Sequence, residues 1–328
     1  MYGELYTKYK TEVITDIISR TNIDATKLVR SKANDVIIPC SGETAEDIAT
    51  ARCVPYDNIL LGGDLNIIRL HGYDGSFMSY QLNGKRKYDI AKVAQGVSVV
   101  HLYGEHLKGV KTYAPSLEEQ KKIAKLLSLL DERIATQSRI IERLETLIRG
   151  IRYNAFKDIQ GKVFHLCDIA DIYQPQTISS SDLTTNGFPV YGANGVIGKY
   201  KTYNHETAQI CITRRGNTCG TVNYTQPKAW ITGNSMVVNI DKHKNEVNKR
   251  YLYHYLSEYN FKTIISGSGQ PQIVRTPLER IRITLPTIEK QAKVAHSMDL
   301  LLEKIGTEIS VRSLLEKQKQ YLLRQMFI

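Results

Sequence analysis

The sequence predicts an α+β protein in which two globular α/β blocks are separated by two long helices that pair antiparallel as a coiled coil. Three observations support this fold. A segment near the middle of the chain returns near its end, each copy carries a helical apolar seam, and short β-type runs fill the regions before each copy. Two blocks and two helices in this order predict a pseudo-twofold internal repeat.

The repeat is visible in the letters themselves. "PSLEEQKKIAKLL" begins at Pro115, and "PTIEKQAKVAHSM" begins at Pro286, which is 171 positions later (286 − 115). The same offset pairs Gln120 with Gln291 and continues without gaps over residues 115–156. A shared ungapped offset of this length indicates that the chain is a duplicated unit.

The first copy opens with a helix-start signal. Pro115 precedes Ser116, a predicted N-cap, and Glu119 stands three residues later as its capping-box partner. Apolar residues then alternate at three- and four-residue spacing, interrupted at Gln137. The seam residues are Ile123, Leu127, Leu130, Ile134, Ile141, Leu144, Ile148 and Ile151. A helix of about 36 residues would be about 54 Å long, so its seam needs a partner helix.

The second copy supplies this partner. Its seam residues are Val294, Met298, Leu301, Ile305, Leu315 and Leu322. Glu308, Arg312 and Lys319 weaken the seam between Ile305 and the end of the chain. We therefore predict an intramolecular coiled coil. The predicted segments are a first block at 1–114, a spacer helix at 115–157, a second block at 158–285 and a second spacer helix at 286–328.

The blocks are predicted to be mainly β. Short β-branched runs bounded by turn residues are "YDNILLG" (56–62), "AQICIT" (208–213), "GTVNY" (220–224) and "SMVVNI" (235–240). One segment, "NKRYLYHYLSEYNFKTII" (248–265), has helical spacing instead. Each block is therefore predicted to be a mixed α/β globule.

Charge and cysteine usage limit the class of protein. The net charge is +11, which favours a polyanionic partner without naming one. The first block holds 14 basic and 13 acidic residues and the second 14 and 9, so the second is the more basic. Five cysteines without a CxxC pair disfavour a zinc knuckle and suit a reducing cytoplasm. No apolar run is long enough to span a bilayer, so we expect a cytoplasmic protein.

No catalytic motif is recognisable in the sequence. Walker and HExxH motifs, the NPP[FY] motif of amino-methyltransferases and a ligand-spaced histidine cluster are all absent. Because several independent classes are missing together, we predict a binding protein with no catalytic residue and no metal site, in preference to a methyltransferase or nuclease.

The loops of the second block have the composition of a DNA-contacting surface. "TRRGNTCG" (213–220) carries adjacent arginines and an asparagine, and "YGANGVIG" (191–198) and "SGSGQPQIV" (266–274) are polar and glycine-rich. Arginine pairs with phosphate or a guanine edge and asparagine with adenine, although a solvated hairpin explains the same residues. In the first block "CSGETAEDIATA" (40–51) and "LLGGDLNI" (60–67) occupy comparable places and carry acidic side chains, and "QGVSVV" (95–100) is the counterpart of "SGSGQPQIV".

Taken together, these features resemble the specificity subunit of type I restriction–modification systems, over essentially the whole chain. The resemblance is carried by "PSLEEQKKIAKLLSLLDERI" with its second copy and by "GNSMVVNI" followed by "SGSGQPQIVRTPLERIRITLP". It implies that each block is a target recognition domain for one half of a split DNA site. The helices would then act as a spacer between the two domains.

The resemblance also implies the partners. These are double-stranded DNA, two methylase (modification) subunits that methylate adenine at N6, and motor–nuclease (restriction) subunits. S-adenosylmethionine, ATP and magnesium are expected on the partner subunits only, so this chain is expected to hold no cofactor and to be non-catalytic. Methylase contacts are expected on the helices, near their junctions with the blocks.

By position in the family's pattern, DNA contacts are expected on the polar loops of each block. In the second block the candidates are Tyr191, Asn194, Arg214, Arg215, Asn217, Gln270 and Gln272. In the first block they are Tyr2, Glu4, Tyr6, Lys8, Ser41, Asp64 and Ser98.

One feature departs from the repeat. Tyr2-Gly3 aligns with Tyr191-Gly192, but the second unit has the segment 163–190 before that point. We therefore expect the first target recognition domain to lack its opening strand and loop. Two alternatives remain open at this stage: a coiled-coil scaffold without DNA readout, and a single-half-site DNA-binding protein that acts as a dimer.

Overall fold

A computed structural model describes residues 3–267 and 269–327. The described chain forms two compact units, one from residues 3–140 with 308–327 and the other from residues 141–307. Each unit contains one α/β block and a segment of each long helix. The predicted fold class, with two α/β blocks, two long helices and an internal repeat, is therefore confirmed.

The first block is organised around a buried three-stranded antiparallel sheet. Its strands are β1 (Val29–Arg30), β2 (Asp35–Pro39), β3 (Ser41–Gly42), β4 (Arg52–Val54), β5 (Leu60–Leu61), β6 (Leu65–Ile68) and β7 (Val100–His101). The strand β2 lies between β4 and β6, and all five of its residues are buried. This burial explains why "DVIIP" carries branched apolar side chains without alternation. Two short pairs, β1 with β5 and β3 with β7, complete the strands.

Short helices cover this sheet. They are α1 (Glu4–Thr7), α2 (Ala45–Ile48), α3 (Gly75–Asn83), α4 (Lys87–Val93) and α5 (Gly104–Leu107). Helix α3 begins at a capped turn, since the Asp74 side chain accepts a hydrogen bond of 2.8 Å from the Phe77 amide. Met78 and Leu82 of α3 pack on Val36 and Ile38 of β2 and form the core of the block.

The first long helix is α6 (Leu117–Lys157), and its predicted capping box is confirmed. The Ser116 amide donates to Glu119 Oε2 at 3.2 Å, and the Glu119 amide donates to Ser116 Oγ at 3.3 Å. These two bonds satisfy amides that the first turn of a helix cannot pair internally.

The second block has a larger set of strands. They are β8 (Lys162–His165), β9 (Asp171–Tyr173), β10 (Phe188–Gly192), β11 (Gly195–Tyr200), β12 (Ile210–Thr213), β13 (Val222–Tyr224), β14 (Trp230–Ile231), β15 (Ser235–Asn239) and β16 (Arg282–Leu285). The main sheet has the order β13–β12–β15–β9 and is antiparallel. A β11–β10–β14 sheet and a β16–β8 pair accompany it.

The helices of this block are α7 (Leu166–Ile169), α8 (Lys249–Glu258) and α9 (Arg275–Glu279), and the second long helix is α10 (Ile288–Gln325). The helix predicted over 248–265 ends earlier, at Glu258. Beyond it, the Asn260 side chain accepts a hydrogen bond from the Lys262 amide and starts a separate 3₁₀ turn, Phe261–Thr263. An asparagine that binds the local backbone in this way competes with helix continuation.

The two long helices pack against each other within each unit. In the first unit, Leu127 of α6 and Leu323 of α10 belong to one buried cluster with Phe77 of α3. In the second unit, Ile141 and Ile148 of α6 pack with Ile305 of α10. Leu127, Ile141, Ile148 and Ile305 are seam positions that the heptad pattern predicted. Leu323 was not predicted; the predicted Leu322 beside it is only partly buried against the same cluster.

The residues that interrupt the two seams bind polar partners. Gln137 of α6 donates to the backbone carbonyl of Glu308 in α10 at 3.3 Å and also binds its carboxylate. These two residues are 171 positions apart, so a residue contacts its own equivalent in the repeat. Lys319 of α10 is buried and donates to Asp131 of α6 at 2.6 Å, with the Glu12 carboxylate as a second partner. Burial of this ammonium is compatible with folding because it is paired with both carboxylates.

The two blocks share a central motif and differ at its edge. In both, an antiparallel three-stranded set (β4–β2–β6 and β13–β12–β15) lies at the centre. The second block adds β9 beside β15, whereas among the described residues of the first unit no strand pairs on the equivalent side of β6. Gly3 also precedes the helical turn α1, whereas its sequence counterpart Gly192 ends the strand β10.

Across the described residues, no helix has the length and apolarity that crossing a bilayer would require.

Candidate nucleic-acid interface

Three loops of the second block come together at one end of its main sheet. They comprise residues 191–195, 213–220 and 266–274 (without Ser268), and we call them the second loop cluster. The Arg214 amide donates to the Asn234 carbonyl and the Ile273 amide donates to the Arg214 carbonyl, both at 2.9 Å. Arg215 then pairs with Gln272 in an antiparallel bridge. This ladder holds the two candidate side chains next to each other.

Buried hydroxyl groups attach the remaining loop to the sheet. Thr213 Oγ1 donates to the Ala193 carbonyl, and Ser235 Oγ donates to the Gly192 carbonyl at 3.2 Å. The turn itself passes through Gly195, whose φ of 94° is a conformation that glycine adopts without strain. Thr213 and Ser235 were not predicted as part of the site, because both lie at strand ends and the facing of such residues depends on strand register.

The candidates of the second cluster differ in exposure. Asn194, Arg215, Asn217 and Gln270 are exposed, and Arg214 and Gln272 are half-buried. In the part of the chain that the structure describes, neither guanidinium has an acidic partner. Two unpaired cations with exposed amides form a surface that is able to bind phosphate and base edges.

Tyr191 is placed differently from the other candidates. It lies in β10, is only 7% exposed, and its hydroxyl accepts a hydrogen bond of 3.0 Å from the Gln226 amide. Its ring therefore helps to build the β10 edge, and a contact between Tyr191 and DNA stays a prediction that its burial does not favour.

The first block builds its own cluster from residues 40–44, 62–65 and 95–101, which we call the first loop cluster. The Cys40 amide donates to the Asp64 carbonyl at 2.9 Å, and the Leu102 amide donates to the Cys40 carbonyl at 2.8 Å. Gln95 and His101 exchange two backbone hydrogen bonds and close the loop that carries Ser98. Asp64 and Ser98 are exposed.

Ser41 is buried beneath this surface. It is 8% exposed, and its Oγ lies 3.1 Å from His101 Nδ1. Ser41 was among the predicted residues and His101 was not, although His101 directly follows the "QGVSVV" loop. The repeat could have indicated His101, because the 171-residue offset aligns it with the candidate Gln272.

The remaining candidates of the first block lie on or near α1. Glu4 and Lys8 form an ion pair one helical turn apart, and the Lys8 ammonium lowers the pKa of the Glu4 carboxyl to about 2. The Tyr6 hydroxyl lies close to Gly42, 3.7 Å from the position that a Cβ atom on this glycine would occupy. Tyr6 therefore reaches the first loop cluster. Tyr2 lies outside the described residues.

The two clusters share one backbone frame and carry different side chains. Cys40 occupies the hydrogen-bonding position of Arg214, and Leu102 that of Ile273. The bridge of Arg215 with Gln272 is matched by the pairing of Ser41 with His101. The second cluster therefore presents arginines where the first presents a thiol and a hydroxyl, in agreement with the charge difference between the blocks.

Within residues 3–267 and 269–327 no group of three or more histidines, cysteines and carboxylates is arranged to hold a metal ion. Burial raises the pKa of the Cys53 thiol to about 11 and that of Cys211 to about 12, so both stay protonated at neutral pH. These thiols are suited to packing.

Comparison with known proteins identifies the family. The chain matches the family described as "Type I restriction modification DNA specificity domain" twice, over residues 4–146 and 160–317. These two matches cover most of the chain and coincide with the two repeats. The protein belongs to this family.

Individual relatives agree with this assignment. The "Type I restriction enzyme MjaVIII specificity subunit" of Methanocaldococcus jannaschii is 23% identical, over 97% of this chain and 84% of the relative. The "Type I restriction enzyme EcoprrI specificity subunit" of Escherichia coli is 25% identical over 46% of this chain, and the match spans 41% of that relative, less than half its length.

A solved structure shares the fold. The crystal structure of the type I restriction–modification S subunit from M. genitalium superposes with a TM-score of 0.68 at 20% identity. The match covers 97% of this chain and 89% of that chain. The arrangement of two α/β blocks and two long helices is thus the fold of this S subunit as well.

Proposed function

We propose that this chain is the DNA-reading subunit of a type I restriction–modification complex. Each block would act as a target recognition domain that reads one half of a split site in double-stranded DNA. The observation that carries the proposal is the duplicated backbone frame: two loop clusters have the same hydrogen-bonded ladder and different side chains at its tip. A repeated backbone scaffold that carries different side chains in its two copies is suited to reading two different short sequences.

The reaction itself would take place on partner subunits. Methylase subunits would bind S-adenosylmethionine and methylate adenine at N6, and motor–nuclease subunits would use ATP and magnesium to cut unmodified DNA. This chain would be non-catalytic, would hold none of these cofactors, and would work in the cytoplasm, where the DNA of a prokaryote lies. Its contribution is selection of the site.

An exposed patch that occurs twice supports docking of two equal methylase subunits. Leu129 of α6 is 43% exposed, and its repeat equivalent Leu300 of α10 is 52% exposed. Each is followed by an exposed Glu and an exposed basic residue, at 132–133 and at 303–304. An apolar side chain beside charged residues, repeated once per unit, is suited to binding two copies of one partner.

The direct test is co-expression of this chain with the methylase subunit of its restriction–modification system, followed by mapping of N6-methyladenine across the host DNA. A split motif with a fixed spacer is expected. A palindrome built from one half would mean that only the more basic second block reads DNA, in a dimer. A stable complex that methylates no defined motif would contradict DNA reading and favour the scaffold alternative.

A further inference from the structure

The first loop cluster contains a side chain that occupies the position of a candidate base reader in the second. His101 pairs with Ser41 across β3 and β7, as Gln272 pairs with Arg215. The closing bonds of the two loops also correspond. Gln95 and His101 exchange bonds of 2.8 and 2.6 Å, and Ser266 and Gln272 exchange bonds of 2.9 and 2.8 Å. His101 is thus held at the same point of the frame as Gln272.

The surroundings of His101 orient its ring. Ser41 Oγ lies 3.1 Å from Nδ1, and the Tyr103 ring stacks on the imidazole with centroids 6.2 Å apart and planes at 21°. Tyr103 is in turn 55% exposed and is buttressed edge-on by His106, with centroids 5.7 Å apart. A serine on one side and a tyrosine ring on another restrict the orientation of the half-exposed imidazole.

The second ring nitrogen of His101, Nε2, is available to a partner outside the chain. No hydrogen bond to His101 Nε2 exists among the residues that the structure describes. If Ser41 donates to Nδ1, Nε2 carries the proton and acts as a donor; in the other tautomer Nε2 is an acceptor. Either form can bond to a base edge in the major groove.

We infer that His101, oriented by Ser41 and Tyr103, is the side chain through which the first domain reads one base of its half-site. This inference rests on the proposed function and deepens it. It assigns a specificity-determining role to a histidine of the less basic block. It also assigns to Ser41 the role of a positioning residue beneath the histidine.

The test compares methylation motifs of the wild-type chain and four variants, each co-expressed with the methylase. In His101→Ala, one base position of one half-site is expected to become degenerate, with preference falling about tenfold to a hundredfold. In His101→Gln, the same position is expected to change its preferred base, because glutamine favours adenine. Arg215→Ala is expected to relax the other half-site and so identifies which half belongs to which domain.

The matched control is His71→Ala, an exposed histidine of the same block outside the loop cluster, which is expected to leave the motif unchanged. An unchanged motif in His101→Ala would overturn the inference and leave the proposed function standing. A uniform loss of methylation at all sites, with no base position of the motif becoming degenerate, would also overturn it, in favour of a phosphate contact. A wild-type chain without a split motif would overturn the proposed function and this inference with it.

Discussion

At the scale of single residues, His254 of α8 shows how burial sets a protonation state. It is fully buried, with Nε2 2.8 Å from Asp299 Oδ1 and Nδ1 3.2 Å from Arg152 Nη2. Because a guanidinium only donates, Nδ1 is assigned as the acceptor and the neutral ring carries its proton on Nε2. Burial, reinforced by the neighbouring arginine charges, lowers the pKa of His254 to about 4.

This shift predicts a pH dependence of stability. The pKa of His254 is lower in the folded chain than its ordinary value of 6.5, so the unfolded chain binds the proton more tightly. The stability that neutral His254 contributes is complete above about pH 6.5 and is lost as the pH falls toward 4. The expected loss in the free energy of unfolding is about 2 to 3 kcal/mol. Fluorescence of Trp230, the single tryptophan and part of the second unit, reports this unfolding.

His254→Gln should flatten this dependence, because glutamine can accept from Arg152 and donate to Asp299 without titrating. The control is His296→Gln, an exposed histidine on α10, which should keep the wild-type slope. Asp299 does not titrate in this pH range, because hydrogen bonds from Arg250 and His254 outweigh burial and lower its pKa from the ordinary value of 3.8. Equal slopes in His254→Gln and the wild type would contradict the assignment.

Single residues also show what the sequence could and could not predict. Arg215 and Asn217 were predicted in an exposed loop and lie in one. The burial of Tyr191 and Ser41 was not predicted, because the facing of a residue near a strand end depends on strand register. His101 could have been predicted from the repeat, which aligns it with the candidate Gln272. Its pairing with Ser41, 60 residues away in sequence, required the structure.

At the scale of elements, the repeated motif glutamines explain why the same helix opening occurs twice. Gln120 Nε2 donates to the Pro115 carbonyl at 2.9 Å, and Gln120 Oε1 accepts from the Asp74 amide at 2.9 Å. Gln291 makes the same contacts with Pro286 and Asn248, both at 2.9 Å. Asp74 and Asn248 are the N-caps of α3 and α8. Each glutamine therefore ties the start of a long helix to the start of a block helix.

Replacement of this glutamine should weaken the attachment. Gln291 is fully buried and also donates to the Glu246 carbonyl at 3.0 Å, so Gln291→Leu leaves buried backbone groups unpaired. The expected loss is about 2 to 4 kcal/mol in the free energy of unfolding followed by Trp230 fluorescence in denaturant. Gln160→Leu, an exposed change in the same unit, should cost less than about 0.5 kcal/mol. A loss of that small size for Gln291→Leu would contradict the proposed tie.

Element boundaries were predictable where local chemistry decides them. The Ser116 and Glu119 capping box is local, and α6 begins at Leu117 beside it. The end of α8 was not predicted, because the periodicity of apolar residues continues past Glu258 while the Asn260 side chain redirects the backbone. The polar residues in the second seam were recognised as interruptions, but the partners of Lys319, which are Glu12 and Asp131, are distant in sequence and required the structure.

At the scale of the whole molecule, the duplication predicts two equal partner sites. Leu129→Glu and Leu300→Glu should each remove one of two methylase subunits, because each places a charge on one copy of the exposed patch. The stoichiometry of the purified complex, measured by native mass spectrometry, should fall from two methylases to one in each variant.

The chain offers a matched control for this experiment. Leu147 is 50% exposed on α6, but its repeat equivalent is Gln318, so it belongs to no duplicated patch. Leu147→Glu should retain two methylase subunits. Retention of both subunits by Leu129→Glu and Leu300→Glu as well would show that the partners bind elsewhere.

If the two blocks read different halves of one DNA site, site-specific photocrosslinking will show each block at its own half. A photoreactive side chain at Ser98 in the first loop cluster, or at Asn217 in the second, would be cross-linked in the full complex to duplex DNA that contains the methylated motif. We expect Ser98 to cross-link to bases of one half-site and Asn217 to bases of the other. Cross-links from both positions to the same half, or none from Ser98, would contradict the claim.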